Sequence, residues 1–117
     1  LSRDKERVAA YRADPLCGAT LSAGGLADMF ASQAESASRR NVQGISKNLR
    51  IYLLAGTDDP LNNQGKGLMA LQKRYRQTGL QADLKLYPEG RHEMLNELNR
   101  ERVIEDLLRW LTENGNV

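Results

Sequence analysis

The sequence is poor in the residues that most often announce chemistry. Cys17 is its only cysteine, His92 its only histidine and Trp110 its only tryptophan. One cysteine cannot form an internal disulfide or furnish a cysteine-based metal cluster, so a reducing compartment is the expectation. Aromatic residues make up 5% of the chain. No apolar run approaches the roughly 20 residues that span a bilayer, and no basic-then-apolar leader opens the sequence. Charge of one sign is missing too: 17 Lys and Arg stand against 15 Asp and Glu, mixed along the chain. There is no basic stripe for nucleic acid and no polybasic run for an anionic membrane. The expectation is a soluble, cytoplasmic protein with no nucleic-acid partner and no transmembrane segment.

What remains fits one small domain: 117 residues, 40% apolar and 27% charged. The chain opens at Leu1 rather than a methionine, and its first residues read like the interior of a longer protein. Ser2 is a candidate cap for a helix running to about Tyr11, with Asp4 and Glu6 in its first turn and Asp14-Pro15 as its stop. Leu21, Leu26, Met29 and Phe30 mark a ragged apolar face from Thr20 to about Arg40, weakened at its start by Gly24 and Gly25. A polar stretch around Gly44, residues 39–48, reads as a loop.

The run Leu49 to Ala55 (LRIYLLA) is the pattern of a strand buried on both faces, and Gly56 ends it. A loop and then a helix follow, the latter showing Leu68, Leu71 and Tyr75 on one face and Gly79 as its C-terminal cap. Ala82 to Tyr87 (ADLKLY) alternates as a half-exposed strand near a sheet edge does, and Pro88 closes it. A last helix from about Arg100 to Thr112 carries Val103, Ile104, Leu107, Leu108 and Leu111 as a broad apolar stripe. The order strand, helix, strand, helix is a βαβ unit with one more covering helix, hence an α/β fold with parallel strands. A strand as apolar as Leu49 to Ala55 needs neighbours on both sides, and this chain supplies one of them. Its other edge would pair with the rest of a larger sheet or with a second copy.

In open α/β sheets reacting groups sit beyond the carboxyl ends of the strands. The first strand exits into Gly56-Thr57-Asp58-Asp59-Pro60, where Pro60 holds Asp59 extended; an Asx turn or helix cap explains that acid as well as catalysis does. The second exits into Pro88-Glu89-Gly90-Arg91-His92-Glu93, with His92 beside a glycine that permits close backbone approach. A lone loop histidine is often just solvated. Adjacent parallel strands lie about 5 Å apart, so their exit loops are neighbours, and an acid there can fix the imidazole tautomer. Such a pair needs a nucleophile, and the chain has no G-x-S-x-G elbow. Ser46, in Gly44-Ile45-Ser46 before the first strand, reads as a loop serine, and Cys17 as a packed thiol.

Several segments together resemble one family. They are Leu53-Leu54-Ala55-Gly56-Thr57-Asp58-Asp59-Pro60-Leu61, Gly65-Lys66-Gly67, Leu86-Tyr87-Pro88-Glu89-Gly90-Arg91-His92-Glu93-Met94-Leu95-Asn96-Glu97 and Asp106-Leu107-Leu108-Arg109-Trp110-Leu111. With Leu1-Ser2-Arg3-Asp4, Tyr11 and Asp14-Pro15-Leu16-Cys17-Gly18, they are similar to the C-terminal portion of bacterial α/β-hydrolases of the monoacylglycerol lipase and lysophospholipase group, the serine aminopeptidase-like enzymes. The resemblance implies that residues 1–40 are the end of a cap region and the core helix after it. Residues 41–117 would be the C-terminal β-α-β-α part of the hydrolase core, with its last two strands. It also implies that Asp59 is the catalytic acid and His92 the catalytic base, that Arg91, Glu93 and Asn96 are loop structure around them, and that no metal or cofactor takes part. The substrate would be a lipid-like or small acyl ester. The serine, the oxyanion hole and most of the lid would lie in a missing N-terminal part of the same hydrolase, leaving this piece inactive alone. A non-enzymatic βαβ binding or assembly module is the alternative; it accounts for the strands but not for the two loops.

Overall fold

A computed structural model describes residues 1–115. Its elements are helices α1 (Lys5–Ala13), α2 (Ala23–Ser36) and α3 (Arg39–Gly44), strand β1 (Arg50–Gly56), helix α4 (Lys66–Gln77), strand β2 (Gln81–Tyr87) and helix α5 (Arg100–Asn114). Short 3-10 turns at Pro60–Asn62 and Met94–Asn96 follow the two strands.

The strands pair in parallel, from Arg50 beside Gln81 to Gly56 beside Tyr87, and α4 makes the crossover between them. This is the α/β arrangement expected from the sequence. Boundaries moved where two capping residues compete. Asp4, not Ser2, caps α1, because its carboxylate accepts from the amides of Glu6 and Arg7 at 3.1 and 3.2 Å. Ser2 is buried and hydrogen-bonds elsewhere. The single helix expected from Thr20 to about Arg40 is two helices, since Ser22 starts α2 late and Ser38 opens α3, accepting from Asn41 N at 3.2 Å. The expected loop at residues 39–48 therefore begins as a helix.

The apolar core is compact: Tyr87, Met94 and Val103, with Leu54 packed against it. From α5, Trp110 stacks on Tyr52 of β1 with ring centroids 5.1 Å apart, and its indole N–H donates to Asp83 of β2 at 2.8 Å. Of the apolar stripe expected on α5, Val103 is fully buried while Ile104, Leu108 and Leu111 stay 41%, 57% and 41% exposed. A sheet of two strands is too narrow to cover a helix face that broad. The same narrowness leaves Ile51 to Leu54 of β1 only half-buried, where the sequence pattern anticipates full burial. No helix among the described residues is long and apolar enough to cross a membrane.

The strand ends are held together by backbone contact. A Cβ on Gly56 would lie 1.8 Å from the Gly90 carbonyl oxygen, and Gly90 in turn has the Gly56 Cα 3.1 Å from where its own Cβ would stand. Two hydrogen bonds lock this approach: Thr57 N donates to Tyr87 O at 2.9 Å and Asp58 N to Gly90 O at 2.8 Å. Gly56→Ala is expected to destabilise the chain by about 3 kcal/mol, since a backbone atom cannot swing aside for a methyl as a side chain can. Gly44→Ala, which meets nothing within 4 Å at the end of α3, should be neutral or slightly stabilising. Urea midpoints of the two variants check this, and equal midpoints would refute it.

Candidate active site

Two loops meet at the carboxyl ends of the strands. After β1, Pro60 holds Asp59 in extended conformation (φ −73°, ψ 115°), so its carboxylate faces the following turn. One oxygen, Oδ1, accepts the Leu61 amide at 2.9 Å and caps that turn; the other, Oδ2, accepts the Asn62 side-chain amide at 3.2 Å. That same Oδ2 lies 3.0 Å from Nδ1 of His92. The cap reading and the acid-on-imidazole reading of Asp59 are thus both realised, one on each oxygen. Asp59 is 4% exposed, whereas half of the His92 side chain is open to solvent.

His92 sits on a loop whose backbone is tied down on one side. Its amide and that of Glu93 both donate to the Leu1 carbonyl, at 3.0 and 3.1 Å. The Arg91 amide donates to Glu97 Oε1 at 3.0 Å, Asn96 Nδ2 donates to Glu93, and the Asn96 carbonyl accepts from Ser2 Oγ at 2.7 Å. Sequence reasoning missed Glu97 and Ser2 in these roles; both are buried, Ser2 bonding Asn96 while its neighbour Arg3 bonds Glu97. It also missed Asn62, whose position three residues after Asp59 in a turn offered only a weak signal.

The other candidates lie apart. Ser46 precedes β1, at the amino ends of the strands, where its hydroxyl accepts the Asn48 amide at 3.4 Å. The Cys17 thiol is pushed up by burial and by the neighbouring Asp14 carboxylate, which disfavours the thiolate a nucleophile needs. A cavity of about 740 Å³ is lined by Ser2, Arg3, Val8, Arg12 and Arg91 among others, but by neither Asp59 nor His92. Among the described residues, no three His, Cys, Asp or Glu side chains are grouped to hold a metal ion.

Chemically, a buried carboxylate on Nδ1 fixes the imidazole as the tautomer with its proton on that nitrogen. Nε2 is then the basic atom, and it makes no hydrogen bond among the described residues. Burial on its own would raise the Asp59 pKa; the hydrogen bonds from His92 and the Leu61 amide, with the attraction that a protonated imidazole would add, outweigh it and hold the carboxyl below its ordinary value.

An acid thus lies on the only histidine, at the carboxyl ends of adjacent parallel strands. The family model for serine aminopeptidase, S33, matches residues 1–99, and the chain belongs to that family. Solved structures are similar to it as well, among them the following two. A highly thermostable carboxyl esterase from Bacillus coagulans, in complex with glycerol, is 26% identical, with TM-score 0.83 over 95% of this chain. A lipase in its open form is 33% identical, with TM-score 0.79 over 98% of this chain. The chain covers 37% of the esterase and 38% of the lipase, less than two-fifths of either.

Because the folded pKa of Asp59 lies below its unfolded value, the stabilisation it gives is complete above about pH 4 and is lost as the pH falls through the folded value. Asp59→Asn should therefore be less stable than the wild type at pH 7, with the gap narrowing below about pH 4. Urea unfolding at stepped pH checks this, and a gap that does not change with pH would contradict it.

Proposed function

We propose that this chain is the acid- and base-bearing C-terminal part of a serine hydrolase that cleaves carboxylic esters of lipid-like substrates, of the lysophospholipase or monoacylglycerol lipase kind. The observation that carries the reading is the 3.0 Å hydrogen bond between Asp59 Oδ2 and His92 Nδ1 across the two strand-exit loops. In the proposed reaction Nε2 of His92 takes the proton of a serine hydroxyl as that oxygen attacks the ester carbonyl. It then returns a proton to the leaving alcohol, and in the second half it deprotonates the water that releases the acyl group. Asp59 holds the ring in the required tautomer and stabilises the imidazolium. The lipid-like substrate rests on the resemblance of the loops and on the esterase and lipase similarities. Residues 1–40 would be the return from the cap and 41–117 the core. A βαβ binding module needs the strands but has no use for a buried acid on an imidazole.

The test is a chimera in which this chain replaces the stretch it matches in the Bacillus coagulans esterase. It should hydrolyse a short acyl ester. His92→Ala and Asp59→Asn should each lower kcat by about 10⁴-fold, while the 117-residue chain alone shows no His92-dependent turnover. An active chimera indifferent to His92→Ala would overturn the reading.

The open edge of β1 carries a further expectation. Among the described residues it pairs only with β2, on one side, so a row of backbone donors and acceptors faces outward. We propose that the isolated chain self-associates through this edge. Light scattering should give a mass above the monomer's 13.1 kDa that rises with concentration, and a monomer at high concentration would count against it.

A further inference from the structure

We propose that Glu97 is a positioning residue for His92, acting through a strap formed by residues 1–4; the inference rests on the hydrolase reading of His92. Glu97 is 0% exposed, a costly place for a carboxylate. Both its oxygens are filled. Oε1 accepts the amides of Arg3 and Arg91, each at 3.0 Å, and Oε2 accepts Arg3 Nε at 3.0 Å and the Leu98 amide at 3.1 Å. These bonds do more than satisfy a buried acid, because of where they fall.

Consider the backbone on either side of the imidazole. The amides of residues 91, 92 and 93 are all engaged: the first by Glu97, the next two by the Leu1 carbonyl. That carbonyl is itself held by Glu97, two residues on, through the main chain and guanidinium of Arg3. Ser2 pins the strap a second time, its hydroxyl donating to Asn96 O at 2.7 Å and accepting the Asp4 amide at 2.9 Å. Arg3 also reaches Glu89 at 3.0 Å and Arg100 reaches Asp4 at 3.3 Å. One carboxylate thus fixes the loop that bears His92 both directly and by way of the segment laid across it. The loop has no long helix or strand of its own between Tyr87 and Arg100 to hold it, only the short turn at Met94–Asn96. Without Glu97 the backbone beneath the imidazole would be free to swing, and the bond to Asp59 that fixes its tautomer would be made only part of the time.

Glu97→Gln keeps the volume and removes half the acceptors, placing an NH₂ group against N–H donors. Arg3→Lys leaves Glu97 intact and removes the Nε donor that completes the fork. The experiment is NMR on the ¹⁵N-labelled 117-residue chain, reading the His92 ring nitrogens and amide exchange. The wild type should show the imidazole as a single tautomer protonated at Nδ1. In both variants the ring signals should move toward a mixture of tautomers, and the His92 and Glu93 amides should exchange about tenfold faster or more. The amides of Thr57 and Asp58, bonded to Tyr87 and Gly90, should keep their protection. A merely structural role would loosen all four amides alike or none. The proposal is overturned if folded Glu97→Gln or Arg3→Lys keeps the wild-type His92 signature, or if both variants lose the fold altogether. A wild type lacking the Nδ1-protonated tautomer would instead sink the acid–base reading of Asp59 and His92, a result distinct from the variants having no effect.

Discussion

The candidate site depends on Gly56 lying against Gly90 with no side chain between them. Parallel neighbours normally carry side chains that keep the loops beyond them apart. Here the last residue of β1 has none, and the backbone of the second exit loop occupies the space where a Cβ would be. That contact lets Asp58 N reach Gly90 O and brings the residue after it, Asp59, to the imidazole two residues past Gly90. Proline then aims the acid, since the residue before Pro60 is confined to extended geometry.

Around this contact buried acids stand beside the small apolar core. Asp59, Glu97 and Asp106 are all buried, and in each case burial pushes the pKa up while hydrogen bonds and nearby cations bring it below the ordinary carboxylate value. Asp59 orients the imidazole, Glu97 holds the loop and the strap, and Asp106 accepts the Tyr87 hydroxyl at 3.2 Å and faces Lys85, Arg102 and Arg109. The apolar residues are less well covered: Phe30, Leu61, Leu98 and Leu108 are all more than half exposed. Helices α1 and α2 bury no residue at all. That surface accords with a chain spanning less than two-fifths of the structures it resembles.

Strands and the pair of candidate residues were legible because their signals are local. A continuous apolar run, an alternating run, and glycine or proline at each end place β1 and β2 within a residue or so of where they lie. Two polar exit loops on adjacent strands make Asp59 and His92 neighbours by topology alone. Glu97 was not legible in its role, since nothing local distinguishes a loop glutamate that is solvated from one that gathers amides from residue 3 and residue 91. Ser2 looked like a helix cap because Asp4, two positions on, competes for the same work and wins it. The stripe on α5 misled for a different reason: periodicity reports the face a helix can bury, and of that stripe Val103 is fully buried and Leu107 half-buried while the rest stay exposed.

The most direct test of whether the two loops hold acid and base together is a double-mutant cycle on the chain itself. Urea unfolding of wild type, Asp59→Asn, His92→Gln and the double variant gives the coupling between the two side chains. Contact predicts a coupling of about 1 kcal/mol, near the low end for touching residues because half of the His92 side chain is solvated. Effects that add to within about 0.3 kcal/mol would mean the side chains act independently, contradicting the geometry on which the site is built.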